Sequence, residues 1–102
     1  MPSLSLDRYV LETLMPDLVG HDRRPSAFIV YLALWSRAAE ARQRVVSASL
    51  RELAEATGLS KRAVQEGLRR LSRRRLVALE RTSSTAVPAY TVLRPWRRRK
   101  SG

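Results

Sequence analysis

The chain has 102 residues, 20 Lys and Arg against 9 Asp and Glu, a formal net charge of +11, 44% apolar residues and no cysteine. That length fits one domain, and that much apolar side chain argues against disorder. The missing cysteines exclude disulfide frameworks, thiol nucleophiles and cysteine zinc sites, and fit a reducing compartment. The longest apolar run, Ala27 to Trp35, has nine residues, about half of what a membrane-spanning helix needs. Acidic Asp7, Glu12 and Asp17 interrupt the first twenty residues, where a secretory signal would need a basic start and an apolar stretch.

Leu6, Tyr9, Val10, Leu11 and Leu14 recur at helical spacing and predict a helix that Pro16 ends or kinks. Gly20 to Arg24 reads as a polar connector containing the single histidine, His21. Pro25 then falls in the first turn of a second helix, about Pro25 to Arg42. Ile29, Tyr31, Leu32, Leu34 and Trp35 make it apolar on nearly every side, so it belongs at the centre, with Tyr31 and Trp35 in the core. Either the first helix covers its second face or a second copy of the chain does. Val45 and Val46 suit a very short strand.

Ser49 with Glu52 three residues later forms an S-x-x-E capping box, and Gly58 stops that short helix. Ser60 caps the next helix, which runs to about Arg75 with Val64, Leu68 and Leu71 on one face. So few residues join the two that they must cross steeply, and Ala54 and Gly67 are the small residues such a crossing wants. From Leu76 the period changes to two. Leu76 to Arg81 and Val87 to Leu93 read as a hairpin around the polar stretch Thr82 to Ala86, with Pro88 arguing for an edge strand. Together with Val45 and Val46 the hairpin makes a three-stranded sheet. Arg94 to Gly102 reads as a basic tail with little fixed structure.

The stretch from Leu50 to Leu71, filling the frame L-x-x-L-A-x-x-T-G-L-S-x-x-x-V-x-x-x-L-x-x-L, and the hairpin after it resemble the winged helix-turn-helix domain of bacterial DNA-binding regulators. Leu50, Leu53, Ala54, Thr57, Gly58, Leu59, Ser60, Val64, Leu68 and Leu71 carry the likeness, which covers about residues 25 to 94. Two positions depart from the pattern: Ala63 stands where Thr is frequent, and Arg75 where Gly usually precedes the first wing strand. The fold class that follows is mainly α with a small antiparallel hairpin: a three-helix core plus wing, and an extra N-terminal helix. The domains are 1–24 (helix and connector, a candidate dimerisation element), 25–94 (winged helix-turn-helix) and 95–102 (basic tail).

The resemblance implies that helix 60–75 enters the DNA major groove and that wing 81–87 reaches the backbone or minor groove. The face opposite Val64, Leu68 and Leu71 presents Lys61, Arg62, Gln65 and Arg69, with Glu66 beside them. Arg pairs with guanine, Gln with adenine, and Glu accepts from cytosine, which makes these five the candidate base contacts. Ser49, Arg51, Ser60 and Arg73, and the wing residues Arg81, Thr82, Ser83, Ser84 and Thr85, are candidate backbone contacts, with Ser49 and Ser60 also serving as caps. Of Arg73, Arg74 and Arg75, one or two are expected to touch phosphate, since all three also suit the helix dipole. Arg97, Arg98, Arg99 and Lys100 could enter a minor groove or supply long-range attraction.

The charge distribution agrees with that face. Residues 1–60 hold seven basic and seven acidic side chains, whereas residues 61–102 hold thirteen basic and two acidic. The whole excess therefore begins at the second helix of the motif. No glycine-rich phosphate loop or glycine-flanked serine nucleophile occurs, and His21 has no evident ligand partners, so no catalysis, cofactor or metal is expected. The expected partner is double-stranded DNA, with a second copy of the chain as a candidate and no membrane. The expected setting is the cytoplasm, at the nucleoid. A transcriptional regulator fits best; a replication-initiation or plasmid or phage maintenance module uses the same domain, and a winged-helix protein interaction module is the reading from another class.

Overall fold

A computed structural model of the chain describes residues 2–80 and 87–97. Of the expected contacts, Arg81, Thr82, Ser83, Ser84, Thr85, Arg98, Arg99 and Lys100 lie outside those residues. The run of apolar side chains around Tyr31 becomes the centre of the molecule: helix α1 spans Pro25–Ala41 and buries Ala27, Phe28, Val30, Tyr31, Leu34, Trp35 and Ala38. Arg42, in the left-handed conformation, ends it. Val10, Leu14 and Leu18 of the N-terminal helix join the same core, so that helix covers the second face of α1.

The N-terminal helix differs from expectation in two ways. It is wound as two π-helical segments, Val10–Leu14 and Pro16–His21, in which Met15 N–H donates to Val10 C=O and Asp22 N–H to Asp17 C=O. Pro16 does not end the helix, because it takes the first position of the second segment, where a missing N–H costs least. His21 consequently belongs to the helix end and not to a connector.

Strand β1 (Val45–Ser47) follows α1, then α2 (Leu50–Thr57) and α3 (Lys61–Arg73), then β2 (Val77–Glu80) and β3 (Ala89–Val92). The antiparallel sheet has the order β1-β3-β2, with Val46 opposite Tyr90 and Leu79 opposite Tyr90 on the other side. β3 is therefore central and not an edge strand. Pro88 is compatible with this because the ladder starts at Ala89, and the Pro88 carbonyl, the one group it can offer, accepts from Ala48 N–H. Leu34, Leu53, Val64 and Leu71, all at 0% exposure, tie the helices together, each burial contributing roughly 1.5–3 kcal/mol.

Gly67 serves α1 and not the crossing of α2 with α3. A Cβ built on it would lie 3.1 Å from the Ser26 carbonyl oxygen and 3.2 Å from Ala27 Cα, so α3 rests directly on the α1 backbone there. The basic tail also departs from expectation. Trp96 stacks on Tyr9 with centroids 4.6 Å apart and on Trp35 at 6.2 Å, and its indole N–H donates to Asp7 at 2.7 Å. Arg97 donates to both Asp7 carboxylate oxygens, at 2.5 and 2.6 Å. Trp35 N–H reaches Ser5 C=O at 2.9 Å, and Tyr31 O–H reaches Leu93 C=O at 2.7 Å. Burial of that phenol pushes its ionisation well above the ordinary tyrosine value. Residues 5–9 and 93–97 thus form one aromatic clasp over α1.

Two stability changes follow. Gly67→Ala gains about 1 kcal/mol of helix propensity but pushes two helix backbones apart at a cost of roughly 1–3 kcal/mol, so its urea midpoint falls below wild type. Asp7 is held below the ordinary carboxyl value of 3.8, chiefly by the Arg97 hydrogen bonds, with partial burial opposing and Trp96 adding. Its stabilisation is then complete above pH 3.8 and is lost as pH falls through the lower folded value. In thermal melts from pH 7 to pH 2, Asp7→Asn melts lower than wild type at neutral pH and converges on it at the acid end.

Candidate nucleic-acid interface

Local chemistry places the helix pair. Ser49 Oγ accepts from Glu52 N–H at 3.0 Å while Ser49 N–H donates to Glu52 Oε1 at 2.9 Å, completing the capping box. The backbone N–H of Ser49 holds the Glu52 carboxyl below its ordinary value. At the other end of α2, Gly58 takes φ +82°, which a glycine adopts freely. Thr57 Oγ1 donates to Leu53 C=O at 2.7 Å and accepts from Leu59 N–H at 3.2 Å, which fixes the turn. Ser60 Oγ then caps α3 by accepting from Ala63 N–H at 3.0 Å. Ala63, where Thr is frequent, contributes only its backbone to this cap.

Helix α3 divides into two faces. Val64, Gly67, Leu68 and Leu71 are buried, whereas Lys61, Arg62, Gln65, Arg69 and Arg73 are exposed. Arg62, Gln65 and Arg69 follow at i, i+3 and i+7, the spacing of one helix face. Glu66 sits half-buried beside it and pairs with Arg62 at 3.7 Å. Arg51 pairs with Glu55 at 3.3 Å on the exposed side of α2. Arg75 adopts φ +57°, so the position where the resembled pattern has glycine keeps a left-handed backbone with an arginine in it.

Two further arginines are held by carboxylates distant in sequence. Arg74 pairs with Asp17 and lies 3.7 Å from Asp22, clamping the end of α3 to the N-terminal helix and removing Arg74 from the phosphate candidates. His21 Nδ1 meets the other carboxylate oxygens of this cluster, 3.2 Å from Asp22 and 3.9 Å from Asp17, so it does have acidic neighbours, and the single Arg74 guanidinium faces both carboxylates from the other side. Arg97, expected in a free tail, is held by Asp7.

Two residues were not anticipated. Arg24 and Arg70 join Glu66, Arg69 and Arg73 around a shallow basin of about 210 Å³ beside the outer face of α3. Gly67 was the available signal: a glycine inside α3 marks close approach of another backbone, and Arg24 immediately precedes the α1 turn that approaches.

A capped helix, a three-residue turn, a second capped helix with a cationic outer face, and a hairpin packed behind them on a central third helix define a winged helix-turn-helix DNA-binding domain. The model of the helix-turn-helix domain family matches residues 24–77, more than half of the chain, and the chain belongs to that family. No curated protein and no solved structure matches it. Among the described residues no helix is long and apolar enough to cross a membrane.

Ser60→Ala lowers the unfolding free energy by about 1 kcal/mol in denaturant titration, through loss of the Ala63 N–H acceptor.

Proposed function

We propose that the chain is a sequence-specific double-stranded DNA-binding protein, a bacterial transcriptional regulator acting in the cytoplasm by occupying its site, with α3 in the major groove. The observation that carries this is the division of α3: four apolar or small positions are buried, and the opposite, exposed face holds Lys61, Arg62, Gln65 and Arg69. A major groove about 12 Å wide admits such a helix, and Arg62, Gln65 and Arg69 offer bidentate donors and acceptors to base edges. Glu66 steadies Arg62 and accepts from cytosine where the sequence offers one. Ser49, Arg51, Ser60 and Arg73 meet phosphate, and wing 81–87 follows the backbone or minor groove.

Two copies reading successive major grooves about 34 Å apart are part of the proposal. Leu11, Met15 and Val19, at i, i+4 and i+8 on the N-terminal helix, are 46%, 41% and 38% exposed and offer the apolar strip for that pairing. A replication or plasmid maintenance role would use the same contacts and differ in the position of its site.

Selection of bound sequences from a random duplex pool tests the reading. A recovered palindrome supports both specificity and pairing, whereas a pool that stays random points to an interaction module. Against the selected duplex, Arg62→Ala or Gln65→Ala lowers discrimination at one base position by roughly 1–3 kcal/mol. Arg73→Ala weakens all sequences alike and reduces the slope of log affinity against log salt by about one.

A further inference from the structure

A second cationic site is built at the sheet edge where β1 and β2 begin and β3 ends. Arg44 precedes β1, Arg75 precedes β2 and Arg94 follows β3. The antiparallel register brings these ends together: Val92 N–H donates to Arg44 C=O and Leu93 N–H to Leu76 C=O, both at 2.9 Å. With Leu93, Pro95 and Arg97 they line an open groove of about 600 Å³. None of these residues lies on α3.

Among the described residues, Asp7 is the carboxylate that pairs with this group, and both its oxygens are taken by Arg97. Arg44, Arg75 and Arg94 have no carboxylate within 4.0 Å among those residues. The Arg94 guanidinium lies 4.1 Å from the Trp35 ring centroid, and its buried Nε has no hydrogen-bond partner among the described residues. Burial, then the charges of Arg97 and Arg44, depress the Arg94 ionisation against the opposing pull of Asp7. Convergent like charges cost stability when nothing neutralises them, and an anion in the groove reverses that sign.

We propose that this basin binds a compact, multiply charged phosphate anion such as pyrophosphate or the polyphosphate of a nucleotide. Guanidinium forks match phosphate oxygens two at a time, and several of them can share one polyphosphate. The volume lies in the range of small-molecule sites. A nucleic-acid backbone is favoured less, because it calls for cations along a ridge, whereas these converge on one concavity from three strand ends.

The test is isothermal titration of the full chain with pyrophosphate and, separately, with adenosine triphosphate, at matched ionic strength in chloride. Both bind, and Arg44→Gln or Arg75→Gln weakens each about tenfold, while Arg62→Gln and Arg69→Gln on α3 change it less than about twofold. Arg44 and Arg75 are exposed, so neither variant removes core packing. Absence of binding above chloride, or equal losses in the α3 variants, overturns the proposal. It is also overturned if Arg44→Gln weakens a short duplex but not pyrophosphate, since the surface then belongs to nucleic acid.

Discussion

The backbone contact of Gly67 with Ser26 and Ala27 is the constraint on which the rest of the fold depends. A methyl group there would meet the α1 backbone at 3.1–3.2 Å, closer than carbon and carbonyl atoms ordinarily pack. α1 in turn keeps its place because Val10, Leu14 and Leu18 cover one side and the sheet and the hairpin residues Tyr90 and Val92 cover another. The exposed row Arg62, Gln65 and Arg69 is therefore positioned by apolar packing that none of those residues shares.

Carboxylates decide which of the many cations are free. Asp7 takes Arg97, Asp17 and Asp22 take Arg74, and Glu52 is committed to the Ser49 cap. Of the seven acids in the neutral N-terminal half these four are committed to the architecture, three of them to arginines of the basic half. Basic side chains cluster on the α3 face with its Arg24–Arg70 flank, where Glu66 answers Arg62, and at the end of the sheet around Arg94.

Features whose causes are local could be read from the sequence. The Ser49–Glu52 box, the Gly58 stop, the Ser60 cap and the two faces of α3 depend on residues within one or two turns, and the structure has them where the spacing put them. The features that escaped depend on distant partners. Asp17 and Arg74 are 57 positions apart, and Asp7 and Arg97 are 90 apart, so no window of periodicity contains either pair. Gly67 signals a close approach by itself, but the backbone it approaches, that of Ser26 and Ala27 in α1, lies far outside its own helix. The missing donor of Pro88 is a local property, whereas strand order is set by which hydrophobic faces meet.

The clasp of Asp7, Trp96 and Arg97 closes nearly the whole chain into one loop. Closing a loop costs entropy that grows with the logarithm of its length, about 0.6 kcal/mol per doubling, so this contact gains little until the helices and sheet between its ends have already shortened the distance. A contact that must await the elements between its ends is expected to form late in folding. An interaction of that kind acts on the lifetime of the native state: it slows unfolding and leaves the folding rate nearly unchanged. The two outermost described segments, which would otherwise fray independently, then open as one cooperative unit.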